Sequence, residues 1–352
     1  MPKAAILKSS LDLLYYSGAS ALFGRLCSGT GAIFMLHHVF PGGGLKEGFA
    51  PNAGIELTPE FLDAVIRMVR KRGFDLVSLE EAVRRIEAGT GNASRFATFT
   101  LDDGYRDNLL YAKPVFDAHD CPYAIFVAPS INDGTCQLWW RGLEHAIAST
   151  DRVEAYIGGQ RFDLAARTPA EKQEAWLRLY WPVRNLEQHS QRDWIATFCE
   201  RHGVDLGRIC TDAAMTWTEL RQIAAEPLCT IGAHTINHYA VSQLPPEEAL
   251  NEMVKSADRI ESELGQRPEY FAYPYGDEHS AGPRDFDLAR QAGFRAAVTT
   301  RKGMIYPGHR HHLTGLPRVS LSGSFQELRY VKTLLTGVPF TIFNGLRRMK
   351  VN

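Results

Sequence analysis

The sequence predicts an α/β fold in which a parallel sheet is joined by crossover helices. Short apolar runs alternate with helical patterns from residue 32 onward. Helix start and stop signals fill the intervals, and the chemically distinctive residues fall just past the ends of the apolar runs. The expected strands are 32–36, 96–101, 123–127, 229–233, 270–273 and 296–299. Six such strands leave closure of the sheet open.

Helix starts follow from capping chemistry. Ser78 has Glu81 three residues on, Thr168 has Glu171, Thr216 has Glu219 and Ser324 has Glu327, each matching a capping box. Pro59 after Thr58 suits a first helical turn, and Gly73 and Gly265 fall where helices should stop. Residues 137–215 break the rhythm. Runs at 153–157 and 160–164 flank Gly158-Gly159 and read as a hairpin with a glycine turn; two polar helices carrying Trp176, Trp181 and Trp194 follow. This stretch is expected to be an insertion. The expected organisation is an amphipathic helix over 1–30, a main domain over 31–322 and a helical tail over 323–352.

Composition narrows the function classes. The chain of 352 residues is 45% hydrophobic and 22% charged, which excludes disorder, collagen-like repeats and coiled coil. Lys plus Arg (39) nearly cancels Asp plus Glu (40), so no global field draws in nucleic acid. Six cysteines without a C-x-x-C pair read as reduced thiols. No apolar run approaches the roughly 18 residues of a membrane span, and residues 1–30 give no convincing secretory signal, so a cytoplasmic location is expected. Leu11, Leu13, Leu14, Tyr15, Leu22 and Phe23, with Lys3, Lys8 and Arg25, form a helix that either packs on its own domain, the favoured reading, or lies on a membrane surface. The basic, apolar stretch 340–350 leaves the same two readings open.

Two clusters carry chemistry. Asp102-Asp103-Gly104-Tyr105 follows the run 96–101. Adjacent carboxylates at the mouth of a buried strand are costly unless a cation or donors offset them, although Asp-Asp-Gly is also ordinary turn chemistry. His234 and His238 follow the run 229–233; four apart, they fall on one side of a helical turn. Two neutral imidazoles with one carboxylate make a three-ligand site of the kind catalytic zinc uses. Both clusters lie past the C-terminal ends of expected strands, the edge where parallel α/β folds gather functional loops. His37-His38 and Pro274-Tyr275-Gly276 fall on that edge too. The histidines read either as a packed strand end or as participants, and Tyr275 as a turn aromatic or a pocket residue.

These motifs resemble the polysaccharide deacetylases of the NodB homology type, carbohydrate esterase family 4. Thr100-Leu101-Asp102-Asp103-Gly104 is similar to the family's T-F-D-D-G, His234 to His238 to its H-[ST]-x-x-H, and Pro274-Tyr275-Gly276 to its motif ending P-Y-G. Leu36-His37-His38-Val39 is similar to an early Y-H-x-V, and order and spacing agree over roughly 32–320. The resemblance implies an irregular (β/α)7-type barrel with an inserted helical and hairpin segment. It also implies a divalent metal on Asp103, His234 and His238, with Asp102 as general base and the backbone N–H of Tyr105 as oxyanion donor. Zinc suits that ligand set best, and nickel, cobalt and iron also accept it.

The implied reaction is removal of N-acetyl groups from an N-acetylhexosamine unit of a polysaccharide, oligosaccharide or lipid-linked glycan, inside the cell or at the inner membrane face. Two departures matter. The arginine that many members carry two residues before the third motif's proline is Ala272 here, and the terminal leucine-x-histidine motif is missing. His309, His311 and His312 are the candidate proton donors, with His309 preferred; a surface role is the competing reading. Trp139-Trp140 reads either as a sugar-stacking pair or as packing, and Tyr275 borders the same pocket. Two alternatives remain: hydrolysis of another amide, such as a formamide or cyclic imide, and a catalytically silent glycan-binding or assembly protein.

Overall fold

In the computed structural model, residues 2–44, 48–89 and 94–349 are described. Seven parallel strands form a closed ring: β1 (Gly31–Leu36), β2 (Phe96–Leu101), β3 (Tyr123–Val127), β4 (Cys229–Ala233), β5 (Tyr270–Ala272), β6 (Ala296–Lys302) and β7 (Leu316–Ser320). They follow one another in chain order around the barrel, and β1 closes it by pairing with β7 on one side and with β2 on the other. The expected (β/α)7 barrel is therefore present. The strand not anticipated is β7, whose sequence Leu-Pro-Arg-Val-Ser places a proline and a charge in what is a buried segment.

Strands β1, β2 and β3 are buried on both faces, as a parallel sheet covered outside and filled inside requires. Ile33, Phe96, Phe126, Tyr270 and Val298 pack together as the barrel filling, joined by Leu79, Val83 and Ile86 of the helix Leu79–Ala88. Glycine makes room for two of these rings. A Cβ on Gly31 would lie 2.3 Å from Phe96, and one on Gly232 would lie 2.4 Å from Phe126. The alternate residues Ala32, Phe34, Leu36, Phe99 and Leu101 face outward, where Leu62, Val65 and Val69 of the helix Pro59–Lys71 cover them.

Most of the start signals act as read. Thr58 and Ser78 accept N–H bonds from the first turns of their helices, and the boxes at Thr168/Glu171 and Thr216/Glu219 are reciprocal. Gly265 caps its helix at φ 77°. Ser324 is the exception: it lies in a short 3-10 turn, and the next helix, Leu328–Leu334, starts after Glu327.

Between β3 and β4 the chain makes its excursion. It comprises helix Trp139–Ala148, the antiparallel hairpin Arg152–Ile157 with Gln160–Ala165, and helices Pro169–Arg184, Gln188–Arg201 and Leu206–Ala213. Gly158 and Gly159, both at positive φ, make the hairpin turn. The excursion buries its own core around Trp139, Leu143, Trp176, Leu179 and Phe198, and this core reaches the barrel through Tyr105, Ile131 and Tyr275. The six cysteines are free.

Candidate active site

The segments that follow several strand ends contribute parts of one pocket of about 260 Å³. β1 leads to His37, β2 to Asp102 and Asp103, β4 to His234 and His238, and the turn after β5 to Tyr275; the excursion adds Trp140 and Tyr180. Asp102, Asp103, His234, His238 and Tyr275, more than 170 positions apart at the extremes, thus line one cavity.

Asp103, His234 and His238 offer ligand atoms that all lie within 4.8 Å of one another, and all three side chains are buried. Asp103 Oδ1 is 3.4 Å from His234 Nε2 and 3.1 Å from His238 Nε2. Burial alone would push the Asp103 carboxyl up, but the two imidazoles outweigh it and hold the group well below the usual carboxylate range. Burial lowers His238 to about 4, so it is neutral with a lone pair to give. His234 Nδ1–H donates to Ala272 O at 2.7 Å, which fixes the tautomer and aims Nε2 at Asp103. Asp103 Oδ1 is buried without a hydrogen bond. An ionised oxygen left so, facing the Nε2 atoms of two imidazoles, fits a divalent cation: the donor set lacks only the positive charge that would satisfy it.

The H-x-x-x-H segment is not a helical turn. It is an irregular loop in which Thr235 and His238 have φ of 54° and 56°. Glu252 holds it from the helix Pro246–Leu264, accepting from the backbone N–H and side-chain amide of Asn237 at 2.9 and 2.7 Å. Arg192 of the excursion donates to the carbonyls of Asn237 and His238 at 3.2 and 3.1 Å. Asp103 and Tyr275 also have positive φ, so four of the six such non-glycine residues among those described belong to this site. Strain gathered this way is typical of positions fixed by function rather than by local preference.

Asp102 is held by a residue the sequence reading did not single out. Arg318, on β7, donates from Nη1 to Asp102 Oδ1 at 2.8 Å and from Nη2 to Oδ2 at 2.7 Å. Its Nε donates to Thr299 O at 2.8 Å and Nη1 also to Thr100 Oγ1 at 3.0 Å, so this fully buried fork has partners on both edges. Burial would raise the Asp102 carboxyl, but Arg318 more than offsets that and holds it below its ordinary value. The work expected of an arginine at position 272 falls to Arg318 from another strand. The signal for it was the unmet cation that two adjacent carboxylates require.

His309 is not in the pocket. The turn Pro307–His311 follows Ile305, which bridges to Gly31 at the first residue of β1, whereas Asp102 follows the last residue of β2. The two lie at opposite ends of the barrel, separated by a six-residue strand or roughly 20 Å. His309 is buried there with Nδ1 accepting from the Tyr306 N–H at 3.0 Å, and His311 and His312 are exposed on the same loop. The histidine that does face Asp102 is His37, with Nε2 3.9 Å from Asp102 Oδ2. His38 is the packed strand end: it pairs with Asp107 at 2.6 Å and stacks on the Tyr105 ring at 3.7 Å. Tyr105 is fully buried and its ring does not line the pocket.

Tyr275 borders the cavity and is fixed from the excursion. Its hydroxyl accepts from Trp139 Nε1 at 2.8 Å, and the Arg184 guanidinium lies 3.8 Å over its ring. Trp139 is therefore a buried support, while Trp140 forms part of the wall, 5.1 Å from the His238 ring.

Residues 186–297 match the family model described as Polysaccharide deacetylase. That match spans about a third of the chain and takes in His234, His238 and Tyr275. Among solved structures, the Streptococcus pyogenes deacetylase PplD in complex with acetate is 16% identical, with a TM-score of 0.57 over 86% of this chain and 97% of that one. IcaB from Ammonifex degensii is 17% identical, with a TM-score of 0.53 over 88% and 97%. A de-N-acetylase from Aggregatibacter actinomycetemcomitans is 14% identical, with a TM-score of 0.54 over 86% and 99%. At these identities the likeness is one of fold. No curated protein sequence matches the chain.

Proposed function

We propose that this protein removes the acetyl group from an N-acetylhexosamine unit of a glycan, using a divalent cation, zinc by ligand preference, held by Asp103, His234 and His238. The observation that carries the reading is the Asp102–Arg318 fork beside that triad, which supplies an ionised, oriented base next to a cation site. A cation bound there supplies positive charge that polarises the acyl oxygen and brings the pKa of water from 15.7 toward about 7. Asp102 takes the proton of the attacking water. The backbone N–H of Tyr105 donates to the developing oxyanion. Burial lowers the pKa of His37, so it starts neutral; from its place beside Asp102 it relays the proton that Asp102 has taken to the departing amine nitrogen. Trp140, Tyr180 and Tyr275 form the walls against which a sugar ring stacks.

The reading as a silent glycan-binding protein drew on Ala272 and on the missing C-terminal histidine. Arg318 stands in the first place, and His37, 3.9 Å from Asp102 in the same pocket, is positioned for the second, which favours the enzyme. The test is release of acetate, against formate, from a panel of N-acetylated and N-formylated oligosaccharides by purified protein of known metal content. Acetate release that stops with a chelator and returns on adding zinc supports the proposal. Metal-independent release, or formate alone, overturns it.

A further inference from the structure

Eleven of the sixteen large hydrophobic side chains that stand exposed among the described residues belong to the two chain ends. Ile6, Leu13 and Tyr16 of the helix Pro2–Tyr16 are 65%, 70% and 72% exposed, Leu22 of the helix Ala19–Cys27 is 73% exposed, and Phe343 and Leu346 at the other end are 69% and 79% exposed. These segments pack into one layer on the barrel. Arg329 of the helix Leu328–Leu334 bonds Asp12 at 2.9 Å, Gly24 lies against Thr336, and Leu7 and Leu11 share an apolar cavity of about 230 Å³ with Phe340 and Phe343.

The layer is also basic. Among the described side chains, residues 6–30 hold Lys8 and Arg25 against Asp12, and residues 323–349 hold Arg329, Lys332, Arg347 and Arg348 against Glu327, a net of +4 in a chain whose total is −1. Lys8, Arg25, Arg347 and Arg348 are exposed in the same segments as these apolar side chains. Both acids, Asp12 and Glu327, pair with Arg329, which leaves the other cations without an acid partner from these two segments. No helix among the described residues is long and apolar enough to cross a membrane.

We propose that this face docks the protein onto a bilayer containing acidic phospholipid, the apolar side chains entering the headgroup boundary and the cations meeting the lipid phosphates. Charge selects this occupant over a second copy of the chain, because two such faces meeting across a two-fold axis would set like charges opposite one another. The inference does not depend on the reaction proposed above, and its test reads binding rather than turnover.

The experiment is flotation of the full chain with vesicles of phosphatidylcholine and with vesicles of equal parts phosphatidylcholine and phosphatidylglycerol. Partition onto the mixed vesicles is expected, weakened at least about tenfold by Arg347→Glu with Arg348→Glu and by high salt. Leu22→Asp with Phe23→Asp lowers it similarly, whereas Leu177→Asp, at an exposed leucine of the excursion, leaves it unchanged. If the leucine variant fails to fold, the arginine pair still decides, since both guanidinium groups are exposed. Partition no better onto mixed than onto neutral vesicles, partition untouched by the arginine pair, or a dimer in sedimentation that Leu22→Asp dissolves, overturns the proposal.

Discussion

Arg318 grips both carboxylate oxygens of Asp102, at 2.8 and 2.7 Å, across 216 positions of sequence. Both groups are buried, so neither charge has water to fall back on. Breaking such a pair by removing one partner costs roughly 3 to 5 kcal/mol. Arg318→Met is therefore expected to be less stable than the parent by that order, measured by denaturant unfolding. The same change removes what holds the Asp102 carboxyl below its ordinary value and leaves the upward push of burial. A reaction that needs Asp102 ionised should then lose its acid side at a higher pH. The pH profile of kcat/KM is the measurement: an acid limb that does not move upward would show that Arg318 does not act through Asp102.

The triad and the base should separate cleanly. Asp103→Ala and His234→Ala are expected to abolish metal retention, read by elemental analysis of dialysed protein. Asp102→Asn keeps the three ligands, and should bind metal normally while turnover falls by about a hundredfold to ten-thousandfold. Loss of metal in Asp102→Asn would mean that Asp102 is itself a ligand.

What the sequence displayed and what it concealed follow from the range of the forces involved. Asp102, Asp103, His234, His238 and Tyr275 were legible because each stands next to an apolar run that is itself a strand, so local pattern located them. β7 was concealed because Pro317 and Arg318 contradict the apolar pattern of a buried strand, and the contradiction is resolved only by Asp102 on a distant one. Histidines spaced four apart suggested a helical turn, yet Glu252 and Arg192, both remote, hold that segment in an irregular loop. His309 was misjudged because nothing local tells whether a loop after a strand returns to the other end of the barrel, as Ile305 does by pairing with Gly31.

His37 lines the pocket, whereas His309, the proton donor expected from the sequence, lies at the far end. His37→Gln should retain metal and lose about a hundredfold or more in kcat. A leaving group that needs no proton should restore most of that loss, because only the donated proton has been removed. An unchanged rate in His37→Gln on the acetylated sugar would assign the donor elsewhere.

His309 has a different consequence, one of stability. Burial lowers its pKa to about 4, against about 6.5 for an unstructured histidine. Between those values the unfolded chain binds a proton that the folded chain refuses, so acidification through this window favours unfolding. The stability contributed by keeping His309 neutral is complete above about pH 6.5 and falls as the pH drops toward 4, by at most on the order of 3 kcal/mol. His309→Gln cannot titrate. Its stability, whatever its level at pH 7.5, should therefore decline less steeply than the parent's between pH 6.5 and 4.5. Urea unfolding at intervals across that range measures the two slopes. Parallel curves would mean that His309 charges as readily in the folded protein as in the unfolded one, and that the cavity holding it admits water.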